Sequence, residues 1–157
     1  MDPSRSVPPA GPPDPAGDLA RRVHQASHLT GSFVLRSGAT SSEYFDKYRF
    51  ESDPRLLREL AEAMAGLLPG EADGLAGLEL GGVPLATVLS QVTGLPAGFV
   101  RKQAKPYGTR RLAEGFDVAV ALCVIDREAG GPANLAEIGV ELRPLFTMTQ
   151  LKAAASH

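Results

Sequence analysis

Three short segments of this sequence carry residue types that could do chemistry, and each follows an apolar run. Residues 101–111 read Arg101-Lys102-Gln103-Ala104-Lys105-Pro106-Tyr107-Gly108-Thr109-Arg110-Arg111, five cations with no acid before Glu114. Cations this close repel one another, so an empty loop is best solvated and should be poorly ordered until a polyanion arrives. A solvated surface loop is the ordinary alternative, but Pro106 and Gly108 keep the segment from becoming helix, and its place after a strand favours anion binding. The second segment, Glu79-Leu80-Gly81-Gly82-Val83-Pro84, is a glycine turn feeding a helix. Free N–H groups and the helix dipole at such a start suit phosphate or diphosphate. A tight turn with no ligand explains the two glycines equally well. The third is Asp126-Arg127-Glu128, where a guanidinium could fork onto a carboxylate. A local ion pair with Asp126 or Glu128 is as good an account of Arg127.

These segments need elements to position them. The hydrophobic pattern predicts strand 75–80, a helix over 83–93 closed by Gly94, and strand 95–100. That βαβ unit implies a parallel sheet, with ligands at the carboxyl ends of its strands. Residues 118–125 are apolar on both faces, as expected of a central parallel strand. A small helix over 132–138 and a strand over 140–146 follow, the latter an edge because of Pro144, and a short helix over 149–155 closes the chain. Upstream, Asp53-Pro54 starts a helix whose apolar face includes Leu56, Leu57, Leu60, Ala61, Met64, Leu67 and Leu68. Residues 32–38 and 43–50 read as a hairpin or flap. Asp18 is expected to cap a first helix ended by Thr30-Gly31. Residues 1–17 contain six prolines and almost nothing to bury, so they should form a disordered tail ahead of one domain over 18–157.

Composition narrows the class. A net charge of −2 argues against general nucleic-acid binding. No apolar run approaches the ~20 residues that span a bilayer, and the N-terminus has no signal-like apolar segment. The single cysteine, Cys123, fits a reducing compartment and, mid-strand among Val, Leu and Ile, should be buried and inert. A cytoplasmic protein is expected. His24, His28 and His157 have no metal-ligand spacing and no acidic or thiol partner nearby in sequence.

Five blocks, in order, resemble orotate phosphoribosyltransferases: Phe33-Val34-Leu35-Arg36-Ser37-Gly38, Ser41-Ser42-Glu43-Tyr44-Phe45-Asp46, Gly81-Gly82-Val83-Pro84, residues 101–108 and Ile125-Asp126-Arg127-Glu128. The similarity covers residues 18–155. It implies an α/β fold of the type I phosphoribosyltransferase kind, a parallel sheet flanked by helices with a small hood, and a homodimer. It further implies transfer of a phosphoribosyl group from 5-phosphoribosyl 1-diphosphate to orotate, with Mg²⁺, to give orotidine 5′-phosphate and diphosphate in UMP synthesis. By the same resemblance Arg101, Lys102, Lys105 and Tyr107 belong to a loop that closes over the diphosphate, part of which reaches the neighbouring subunit's site, with Lys105 catalytic. Gly81 belongs to the diphosphate turn, Arg36 touches donor and base, Tyr44 and Phe45 line the orotate ring, and Arg127 lies near orotate.

One departure matters. Members of this class carry a strand ending in two adjacent acids, then a Thr/Gly loop and a helix, which hold the ribose hydroxyls and the 5-phosphate. Here residues 111–115 run straight into Phe116-Asp117-Val118. About 30 residues are missing by the usual size of such a unit, with the seam near Gly115-Phe116, and the flanking strands must pair directly or leave an open edge. Two non-catalytic alternatives therefore stand beside the enzyme: a pyrimidine- or nucleotide-binding sensor, and an RNA-binding regulator of the same fold. Acidic charge and Arg127 weigh against the regulator.

Overall fold

Asp14 and Asp53 each stand before a proline, and both start helices. In the computed structural model, which describes residues 14–35, 38–100 and 118–156, α1 spans Pro15–Ser27, with the Asp14 carboxylate accepting from Ala16 N–H. The helix thus begins before the expected Asp18 cap, and residues 15–17 belong to it rather than to a disordered tail. Asp18 lies in the first turn, where a negative charge suits the dipole. The chain turns extended at His28, earlier than Thr30-Gly31, because His28 already pairs with Phe45. Strand β1 (His28–Val34) and β2 (Thr40–Phe45) form that antiparallel hairpin, with a register shift between Thr30 and Phe33. The expected second strand stops at Phe45. Asp46 caps a five-residue helix, α2 (Lys47–Glu51), instead.

Helix α3 (Pro54–Ala65) starts as expected, Asp53 accepting from the N–H groups of Arg55 and Leu56. Leu56, Leu57, Leu60, Ala61 and Met64 are buried along one face, while Leu67 and Leu68 lie beyond its end. The βαβ unit is present: β3 (Leu75–Leu78), α4 (Val83–Thr93) and β4 (Ala97–Val100), with the strands parallel. Gly94 takes the left-handed conformation that ends α4. Then β5 (Val120–Asp126), α5 (Gly131–Ala136), β6 (Glu141–Thr147) and α6 (Met148–Ala154) complete the order. β5 pairs in parallel with β6, and Pro144 sits opposite Cys123.

The two parallel pairs share one core. Leu19 and Val23 of α1, Leu60 and Met64 of α3, Leu75 of β3, Leu89 of α4, Val124 of β5, Phe146 of β6 and Leu151 of α6 belong to a single cluster. Yet among the described residues no ladder joins β3–β4 to β5–β6. Of β5, expected as a central strand, the described residues show one partner strand, β6, and Val124 is its one buried residue. Leu78 and Val118 are more than half exposed, as is Phe99. Parallel sheets normally have both faces and both sides of each inner strand covered.

One buried group works against the fold. Glu51 is 8% exposed and its Oε2 has no hydrogen-bond partner. Burial raises its pKa above 4.5, with Lys47 partly opposing. A folded-state pKa above the unfolded one favours the fold at low pH, and that benefit is lost as pH rises through the raised value. Glu51→Gln removes the buried charge at nearly constant volume and is therefore expected to raise stability at pH 7. Urea unfolding at pH 4 and pH 7 checks this, the gain being larger at pH 7.

Candidate active site

The hairpin turn, the end of β5 and the start of α6 enclose a cavity of about 210 Å³ lined by Leu35, Ser41, Glu43, Phe45, Arg127 and Met148. That is smaller than the ~300–1,000 Å³ pockets that take drug-sized ligands, and it suits a single ring. Its walls follow from local structure. Gly38, with φ 85°, and the Leu35–Ala39 bond close the hairpin. Strand alternation sends Ser41, Glu43 and Phe45 to one side of β2. Arg127 comes from the loop that leaves β5, at the carboxyl end where open α/β sheets bind ligands.

The fold therefore brings Phe45 and Arg127 together, and it does not bring Tyr44 into the same cavity. Adjacent strand residues face opposite ways, and Tyr44 instead lies against Phe33, ring centroids 5.5 Å apart. Behind Phe45 stand His28 at 5.0 Å and His24 at 5.5 Å between centroids. Burial, then the neighbouring His28, lowers the His24 pKa. The local-pair account of Arg127 is overturned: among the described residues it forms no ion pair, because Asp126 accepts from Glu128 N–H and Glu128 from Thr149.

Sequence spacing gave no sign of two further groups. Glu43 accepts from Lys152 Nζ at 2.5 Å and meets His28 Nε2 at 3.1 Å, so His28 does have an acidic partner, supplied by strand pairing. Lys152, then His28, hold the Glu43 carboxylate below its ordinary pKa. Paired in this way, the acid adds less repulsion to an anionic ligand beside Arg127.

The second is Lys47. The Gly81-Gly82 turn precedes α4, and the Lys47 ammonium fills the space that a side chain at Gly81 would take. Gly82 is demanded by packing: a Cβ there would sit 2.6 Å from Leu78 N and 2.8 Å from Leu78 O. A cation from α2 thus stands against the turn, whose Gly82 and Val83 N–H groups donate to the Leu78 and Leu80 carbonyls. Cys123 is half-buried rather than fully buried, and burial pushes its pKa up to about 11, which agrees with an inert thiol. Arg36, Arg101, Lys102, Lys105 and Tyr107, with the seam near Gly115, lie outside the described residues, as does the loop expected to order on anion binding.

A parallel βαβ unit with a glycine turn, beside a hairpin that roofs a ring-sized cavity, defines an α/β fold of the type I phosphoribosyltransferase class. Solved structures agree. The orotate phosphoribosyltransferase of Aeropyrum pernix superposes with a TM-score of 0.73 at 24% identity, covering 88% of this chain and 98% of that one. That of Mycobacterium tuberculosis in complex with 5-phospho-α-D-ribosyl 1-diphosphate gives 0.67 at 22%, covering 87% and 98%. No protein-family model matches the chain. In sequence, the orotate phosphoribosyltransferase of a Nocardioides species is 45% identical over 168 residues, spanning 87% of this chain and 94% of that protein. That of Halobacterium salinarum is 40% identical over 167 residues, spanning 85% and 95%. The chain belongs to the orotate phosphoribosyltransferase family.

The first of these matches also measures what is missing. It runs over 168 residues but takes in 87% of a 157-residue chain, about 137 residues, leaving about 31 positions with no counterpart here. The shortfall equals one strand–loop–helix unit.

Proposed function

We propose that the cavity binds orotate, the ring against Phe45 and the carboxylate on the Arg127 guanidinium. The observation that carries this is the meeting of an aromatic face and an arginine, far apart in sequence, in one ring-sized cavity. The donor's diphosphate would lie at the Gly81-Gly82 turn with Lys47 beside it, and Arg101, Lys102, Lys105 and Tyr107 would close over it, Arg36 reaching donor and base. In the reaction of the family, the bond from ribose to diphosphate breaks as orotate nitrogen bonds to the ribose carbon. Cations at the turn and loop stabilise the negative charge that develops on the leaving diphosphate. Among the described residues no three His, Cys, Asp or Glu converge as a metal cage. Mg²⁺ would be carried by the donor's diphosphate and would neutralise part of its charge as it leaves. No helix among the described residues is long and apolar enough to cross a membrane. A homodimer working in the cytoplasm, with no nucleic-acid partner and residues 18–157 as its domain, completes the reading.

Calorimetry tests the orotate site. A charge-assisted hydrogen bond contributes ~1.5–3 kcal/mol, so Arg127→Ala should weaken orotate binding tenfold or more. Equal affinity for wild type and variant would remove Arg127 from the site. The shortfall of about 31 positions favours a second reading, in which the chain binds a pyrimidine without turning it over. Orotate binding with no product formation distinguishes it.

A further inference from the structure

Among the described residues the Arg127 side chain has no ion-pair partner, and its position is set by its two neighbours. Asp126 Oδ1 accepts from Glu128 N–H at 2.9 Å, which bends the chain back as it leaves β5. Glu128 then sits at φ 58°, the one non-glycine residue with positive φ among those described. L-residues other than Asn and Asp seldom adopt that conformation, and it persists only where surrounding contacts enforce it. Those contacts are visible: Glu128 Oε2 accepts from Thr149 N–H at 2.9 Å and from Thr149 Oγ1 at 2.7 Å.

The placement has a consequence. Thr149 follows Met148, and Met148 and Arg127 are both walls of the cavity. One carboxylate therefore ties the loop carrying Arg127 to the helix turn carrying Met148. The helix could do without it, because Thr147 and Gln150 already form a complete capping box at the same end. Glu128 is exposed, so it gains little from burial, and a residue free of Cβ strain would suit its backbone better.

We propose that Glu128 is a positioning residue: it sets the direction in which Arg127 enters the cavity, and so the affinity for a carboxylate-bearing ring. The proposal rests on the orotate reading of that cavity. The structure gives it a form that separates positioning from stability. Glu128→Gly relieves the backbone and removes the tie. Glu128→Ala removes the tie and keeps the strain. Glu128→Gln keeps an amide oxygen able to accept from Thr149.

The experiment uses the full chain and these three variants. Orotate affinity is measured by calorimetry, thermal unfolding by circular dichroism, and Arg127 backbone motion by ¹⁵N relaxation without ligand. Glu128→Ala and Glu128→Gly should each weaken orotate binding roughly fivefold, about half the tenfold set by 1.4 kcal/mol, and Arg127 should become more mobile in both. Glu128→Gln should restore most of the affinity, and Glu128→Gly should unfold no earlier than Glu128→Ala. Unchanged Arg127 relaxation and unchanged affinity in Glu128→Ala overturn the proposal. A lowered melting temperature with unchanged affinity also overturns it, since that is a helix cap and nothing more. Should the wild type fail to bind orotate, the cavity reading falls, and Arg127 relaxation alone decides the positioning role: increased motion supports it, unchanged motion overturns it.

Discussion

Supplied with orotate, 5-phosphoribosyl 1-diphosphate and Mg²⁺, this 157-residue chain is expected to form no orotidine 5′-phosphate above background. The expectation rests on the positions its relatives have and it lacks. The described residues offer the cavity proposed for orotate and the glycine turn proposed for the diphosphate. By resemblance to the family, the ribose and its 5-phosphate are held by acidic side chains and a Thr/Gly loop, whose N–H groups would supply the anion nest. No such sequence is present. A donor fixed only at its diphosphate leaves the reacting carbon free to wander, and misplacement by ~1 Å can cost ~10²-fold in rate. The assay follows orotate absorbance. Inserting a family-like strand–loop–helix after Gly115 should restore turnover, and robust turnover by the unmodified chain would show that the ribose has another holder.

The second large effect is on stability. Leu60→Ala is expected to cost about 2–5 kcal/mol, the range for emptying a fully buried leucine site. Leu60 is 0% exposed, on the α3 face that joins helices to both parallel strand pairs in one cluster. Among the described residues no ladder joins those pairs, and side-chain packing unites them, so emptying a site in that packing is felt by both. Urea denaturation gives the difference. A loss below 1 kcal/mol would mean that the core collapses around the gap, or that the two pairs unfold separately.

Sequence by itself determined the local pieces. Asp53 before Pro54, the apolar spacing from Leu56 to Met64, and Gly94 after Thr93 encode helix starts, faces and stops through bonds that span only a few residues. The βαβ unit and its glycine turn were legible for the same reason. The missing unit was legible too, as a break in the order of family blocks, and the sequence comparison returns a shortfall of the expected size. Other local signals competed. Asp14 caps α1 in place of the expected Asp18, and His28 leaves the helix because strand pairing with Phe45 takes it.

Only the tertiary structure decided which chemical groups meet. It chose Phe45 over Tyr44 for the cavity, because the hairpin's register fixes which face of β2 looks toward Arg127. It set Lys152 and His28 on Glu43, and Lys47 on the Gly81 turn, pairings no spacing rule contains. It turned Asp126 and Glu128 away from Arg127 and toward main-chain and helix-end donors. And among the described residues it pairs β3 with β4 and β5 with β6, with no ladder between the two. Hydrogen bonds a few residues apart are written in sequence order, whereas contacts between distant residues depend on how whole elements pack, which apolar burial drives without regard to which polar groups come together.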